Sequence, residues 1–93
     1  MHERLEAIVT GRVQMVMYRD FAQRKAHGLK LTGEVQNCTD GTVRVVAEGA
    51  RPGLEIYLKK LHQGPLLASV GGVSVTWLPA IGNYEGFVIT YGG

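Results

Sequence analysis

One cysteine, Cys38, stands in 93 residues. An internal disulfide is therefore excluded, and such sparse cysteine usage points to the cytoplasm rather than to a stapled secreted fold. Long apolar runs are missing as well. Uninterrupted hydrophobic stretches last only a few residues, and Met1 to Leu5 carries His2, Glu3 and Arg4, so neither a signal peptide nor a membrane-spanning helix is expected. There is no excess of one charge. Ten basic against eight acidic residues leave a formal net charge of +2, too small to draw nucleic acid by itself and mildly compatible with an anionic substrate. His2, His27 and His62 fall at no metal-ligand spacing, and no metal or other cofactor is expected. Composition bias is absent too: 45% apolar and 19% charged residues are ordinary globular proportions, which excludes a disordered chain. A chain of this length has room for one hydrophobic core, so it reads as a single domain and a monomer.

What is present is periodicity. Leu5 to Val9 alternates and runs into Thr10-Gly11, which predicts a first strand. From Asp20, a residue suited to a helix N-cap or first turn, Phe21, Ala22, Ala26 and Leu29 share one helical face. Gly33 to Cys38 and Thr42 to Glu48 are β-rich runs joined across Thr39-Asp40-Gly41, whose Asp and Gly tolerate left-handed backbone. Arg51-Pro52 opens a second helix of about three turns with Leu54, Tyr57, Leu58 and Leu61 as its stripe, ended by Gly64-Pro65. Two more alternating segments follow, Val73-Val75-Trp77 and Phe87-Ile89-Tyr91, with Gly71-Gly72 marking a bulge or kink near the start of the first. The order β-α-β-β-α-β plus a short final strand predicts an α+β, ferredoxin-like sandwich, with one mostly antiparallel sheet and two helices on one face. That fold hosts many functions, so function has to be argued from a site.

The candidate site lies between the first strand and the first helix, along Gly11-Arg12-Val13-Gln14-Met15-Val16-Met17-Tyr18-Arg19. A loop there aims backbone N–H groups and the positive end of a helix at whatever sits above it, which suits an anion. Arg19 adds a planar fork of donors that grips two phosphate oxygens at once. Taken alone, the same pattern also fits an ordinary ion-paired arginine. Read whole, Gly11-Arg12-Val13-Gln14 followed by Val16, Tyr18 and Arg19 resembles the acylphosphatase signature Gly-x-Val-Gln-Gly-Val-x-aromatic-Arg. Gly33-Glu34-Val35-Gln36-Asn37 resembles that family's second motif, Gly-aromatic-Val-x-Asn, and Asn37 follows Arg19 by 18 positions (37 − 19). The likeness continues through Asp40-Gly41-Thr42-Val43 and Gly86-Phe87-Val88-Ile89.

The resemblance implies metal-independent hydrolysis of a small-molecule acyl phosphate to a carboxylate and inorganic phosphate. Residues Gln14, Met15, Val16, Met17, Tyr18 and Arg19 would bind the phosphoryl group, chiefly through backbone N–H groups and the Arg19 guanidinium. Asn37 would orient the attacking water. The substrate's own phosphate would take the water's proton, which accounts for the lack of a His, Asp or Glu in either motif. Three positions depart from the family pattern. Met15 replaces a glycine, and if the loop needs positive φ there, a non-glycine residue carries roughly 1–2 kcal/mol of strain. A non-catalytic acylphosphatase-like domain that binds an anion or a partner is thus the alternative. Lys30 stands where a helix-ending glycine is expected, with Gly28 placed to take over the capping. Glu34 replaces an aromatic, and its carboxylate, three residues from Asn37, is expected to disfavour highly anionic acyl groups. Simpler readings also exist for single residues: Asn37 as a turn residue, and Cys38 as a half-buried strand residue without a histidine to activate it. RNA-recognition modules share this element order, but they need exposed aromatics on the central strands, and Thr42 to Ala47 has none.

Overall fold

The computed structural model describes residues 2–91. In chain order it has β1 (His2–Arg12), α1 (Tyr18–Gly28), β2 (Thr32–Asn37), β3 (Val43–Ala50), α2 (Arg51–Gln63), β4 (Ser69–Pro79) and β5 (Phe87–Thr90). The five strands form one sheet in the order β4-β1-β3-β2-β5. All neighbours are antiparallel except β2 and β5, which are parallel. This is the ferredoxin-like α+β arrangement that the periodicity predicts.

Alternation decides which face is covered. Leu5, Ala7 and Val9 of β1 and Val43, Val45 and Ala47 of β3 point to one side, where they form a single buried cluster with Ala22 and Ala26 of α1 and Leu54, Tyr57 and Leu61 of α2. The Tyr57 hydroxyl donates to the Ala22 carbonyl at 2.9 Å and so ties the two helices together above the sheet.

Two motif glycines are required by close approach. Thr10 faces Gly72 and Gly11 faces Val70, which leaves Gly71 as the extra residue of a β-bulge, as the glycine pair suggests. Gly11 has φ +112°, and a Cβ there would run into the Ser69 carbonyl oxygen; Gly33 has φ +146°, and a Cβ there would run into that of Val46.

Element ends depart from the periodicity in instructive ways. β1 extends to His2 and Arg12 rather than stopping at Leu5 and Val9, and β4 begins at Ser69 because it pairs with β1 beyond the bulge. α1 starts at Tyr18, so Asp20 is a first-turn residue, paired with Arg24 at 2.8 Å, and Met17 occupies the N-cap without a capping side chain. At the other end Gly28 stays helical and does not cap. Lys30 itself takes the left-handed position at φ 58°. The Lys30 N–H returns to the His27 carbonyl at 3.1 Å and the Leu31 N–H to that of Ala26 at 2.9 Å, the double bond of a Schellman ending, with buried Leu31 as its apolar anchor.

On the other face of the sheet, residues 80–86 connect β4 at one edge with β5 at the opposite edge, so the chain crosses the full width. Glu48 holds this crossing. Its carboxylate accepts from the N–H groups of Ile81 at 3.0 Å and Gly82 at 2.9 Å and from Arg4 at 3.1 Å, while Arg4 also reaches Glu6 at 2.7 Å. Burial would raise the Glu48 pKa, but these donors outweigh it and hold the carboxyl below its ordinary value. Farther along, the Tyr84 hydroxyl donates to Glu34 at 2.7 Å and the Gly33 N–H to the Gly86 carbonyl at 2.9 Å.

Candidate active site

Strand direction gathers the site. β1 and β2 are both antiparallel to β3, and β5 is parallel to β2, so the C-terminal ends of all three meet at one end of the sheet. A cleft of about 430 Å³ opens there. Val13, Met15 and Met17 line it from the β1–α1 loop, Tyr18, Arg19 and Asp20 from the first turn of α1, Asn37 from β2, and Ile89 and Tyr91 from β5 and just beyond.

The loop is shaped by two residues in the left-handed region, Met15 at φ 61° and Met17 at φ 65°. A left-handed residue followed by a helical one, as at Met17-Tyr18, turns successive N–H groups toward the same side and makes an anion-binding concavity. The Phe21 N–H donates to the Met17 carbonyl at 3.1 Å and closes the first turn. Among the described residues, the N–H groups of Met15 to Asp20 have no acceptor.

The loop is fixed from beneath. Val13, Val16 and Tyr18 are buried, and the Tyr18 hydroxyl donates to the Leu61 carbonyl, its pKa pushed up by burial. The Gln14 side chain donates to the carbonyls of Cys38 and Thr42, both at 2.8 Å, and so bolts the loop to the β2–β3 hairpin. The hairpin itself closes through Cys38 N–H to the Thr42 carbonyl at 2.8 Å and through Asp40, which accepts from the Thr42 N–H and hydroxyl. The Gln14 and Val16 side chains are thus directed away from the cleft, which leaves those residues only their backbone for contact with a ligand.

Arg19 and Asn37 come together in the cleft. The Arg19 guanidinium lies over the Tyr91 ring, 5.0 Å from its centroid, and has no ion-pair partner among the described residues. Asn37 presents a buried Oδ1 with no hydrogen-bond partner. An unpaired buried acceptor costs about 1–3 kcal/mol, and a water that donates to it removes the deficit. Cys38 is half-buried, one residue past β2, and its backbone serves the hairpin. Glu34 does not approach the cleft: it lies on the opposite face of the sheet, bonded to Tyr84 and 3.9 Å from Arg44. Its odd spacing from Asn37 within one strand dictates this. Among the described residues no three His, Cys, Asp or Glu side chains gather to hold a metal ion, and no helix is long and apolar enough to cross a membrane. Sequence reasoning missed Tyr91 as part of the site, because its place depends on β5 lying beside β2.

The acylphosphatase family model matches residues 5–89. An acylphosphatase of Thermus thermophilus is 55% identical over 74 residues, which cover 80% of this chain and 84% of that relative. An acylphosphatase of Salinibacter ruber is 45% identical over 85 residues, covering 91% and 90%. The crystal structure of acylphosphatase from Bacillus subtilis superimposes with a TM-score of 0.93 at 35% identity, covering 96% of this chain and 99% of that one. With the match running over nearly the whole described chain and both motifs meeting at one cleft, the chain belongs to the acylphosphatase family, hydrolases that act on acyl phosphates.

Proposed function

We propose that the cleft between the Met15–Arg19 loop and Asn37 is the active site, with Arg19 and the loop N–H groups as the phosphoryl grip and Asn37 as the water holder. The supporting observation is that Arg19, Asn37 and a loop whose N–H groups have no acceptor among the described residues meet at one cleft. A bound phosphoryl group takes the loop N–H groups and Arg19, and the Asn37 side-chain amide holds the water. The water oxygen attacks phosphorus and the bond from phosphorus to the acyl oxygen breaks. The carboxylate leaves with the electron pair, and the water's proton passes to a phosphoryl oxygen, giving inorganic phosphate. A carboxylate leaves readily, so a strong general acid is dispensable, and positioning with charge stabilisation does the catalysis. Met15 holds a left-handed conformation at φ 61°, so the methionine does not keep the loop from the backbone region that a glycine favours.

We further read the protein as a single-domain monomer of the cytoplasm, in keeping with its lone cysteine. The test of the enzymatic reading is hydrolysis of benzoyl phosphate by the purified protein in the presence of a metal chelator. Turnover above the spontaneous rate is expected, and its absence overturns the reading.

A further inference from the structure

The proposed reaction leaves several side chains of the cleft unused. Phosphoryl group and water occupy Arg19, the loop N–H groups and Asn37, whereas Met15, Met17, Ile89 and Tyr91 line the remainder. Met15 is 99% exposed, Met17 67% and Tyr91 79%. Three large apolar side chains thus stand in water around one opening, where they contribute little to the core and present a surface for a ligand. The left-handed backbone at Met15 and Met17 carries strain that the loop retains without packing either thioether.

Charge narrows the choice of ligand. Among the described lining residues Arg19 is the one cation and Asp20 the one anion, and Asp20 is already paired with Arg24 at 2.8 Å. A phosphoryl dianion engages Arg19, so no cation is left for a second anionic group, which would meet Asp20 instead. Space narrows it further: a phosphoryl group has the bulk of a few waters, each with a share of about 30 Å³. Most of the cleft of about 430 Å³ remains open to the acyl group attached to it.

We propose that Met15, Met17 and Tyr91 bind the acyl group and make the enzyme selective for apolar, above all aromatic, acyl phosphates over small or anionic ones. The inference rests on the reading that Arg19 and the loop anchor the phosphoryl group, because that anchor places the acyl group at the apolar mouth. Thioethers are well suited to such a surface, since they adapt to irregular shapes and make favourable contacts with ring edges, and Tyr91 offers a flat aromatic face.

Three measurements test it. On the unmodified protein, kcat/KM should rank benzoyl above acetyl above succinyl phosphate, with the first step roughly tenfold. Equal values, or a preference for succinyl phosphate, overturn the selectivity and leave the hydrolase reading intact. The double variant Met15→Asn with Met17→Asn keeps residues that tolerate left-handed backbone while it removes the apolar surface. It should lower the benzoyl-to-acetyl ratio of kcat/KM about fivefold, through a higher KM for benzoyl phosphate, and an unchanged ratio overturns the proposal. Calorimetry on the unmodified protein needs neither turnover nor a stable variant: phenylphosphonate should bind roughly tenfold tighter than methylphosphonate. Equal affinities overturn the apolar subsite. If phenylphosphonate is preferred but no acyl phosphate is hydrolysed, the subsite stands and the catalytic roles of Arg19 and Asn37 fall.

Discussion

The loop from Val13 to Met17 and the crossing from Ala80 to Gly86 are both short irregular segments that leave the sheet, yet they treat polar groups in opposite ways. The crossing is pinned at several points: Glu48 takes the N–H groups of Ile81 and Gly82, Glu34 takes the Tyr84 hydroxyl, and the Gly86 carbonyl takes the Gly33 N–H. The loop is left open, with N–H groups that have no acceptor among the described residues, two left-handed methionines, and an unpaired acceptor at Asn37. The buried Asn37 Oδ1 and the left-handed methionines each cost of order a kilocalorie per mole, and a protein of marginal stability keeps such costs mainly where function requires them. Substitutions in the crossing should therefore act on stability, and substitutions in the loop on activity.

The sharpest test of the contrast is Arg19→Ala. It should lower kcat/KM for benzoyl phosphate by about 10³-fold or more and abolish inhibition by inorganic phosphate. Urea unfolding should move by less than about 0.5 kcal/mol, because the guanidinium has no ion-pair partner among the described residues to lose. Glu48→Ala is the mirror experiment. It leaves Arg4 buried without its 3.1 Å partner and frees two N–H groups, so unfolding free energy should drop by about 3–5 kcal/mol while kcat/KM per folded molecule is kept. Catalytic loss without destabilisation in that variant would collapse the distinction between the two segments.

Asn37→Ala comes next. It should lower kcat by about 10²–10³-fold and leave the phosphate inhibition constant within about twofold. Stability should not fall, since Oδ1 has no partner in the folded chain. Equal loss of phosphate affinity in the Asn37 and Arg19 variants would refute their separate roles.

Acidification probes the crossing when the unmodified protein is compared with Glu48→Gln. The folded pKa of Glu48 lies below its ordinary value of 4.5, so its contribution is fully present above that value and is lost as pH falls through the folded pKa. Between about pH 5 and pH 3 the unfolding free energy should thus fall more steeply in the unmodified protein than in Glu48→Gln. Parallel curves would remove Glu48 as the clamp.

The smallest effect is expected from Met15→Gly. Glycine takes φ 61° without the Cβ penalty, so thermal unfolding should shift upward by the equivalent of about 1 kcal/mol. A downward shift would show that the methionine side chain, despite its exposure, offsets the strain.

How far these features were legible depends on how local their causes are. Strand alternation at Leu5–Val9 and the stripe of Leu54, Tyr57 and Leu61 arise from neighbours within a few positions, so element order could be read directly. Element ends could not. β1 and β4 extend because each pairs with the other, and α1 starts early because its N-cap is a strained methionine with no capping signal. Lys30 ends α1 in place of Gly28 because the buried Leu31 sets where the chain must turn. Glu34 is a different lesson. Closeness to Asn37 along the chain suggested closeness in space, whereas alternation alone assigns the two to opposite faces.

The sequence by itself determined the α+β order through its periodicity and, through its resemblance to two acylphosphatase motifs, singled out Arg19 and Asn37, because both signals are written in residues close along the chain. Only the tertiary structure decided that three strand ends meet around one cleft, that Tyr91 joins it, that Gln14 bolts the loop to the hairpin and that Asn37 is left unpaired. Those facts depend on strand order, which is set by burial between residues far apart in the chain, and no local pattern encodes it.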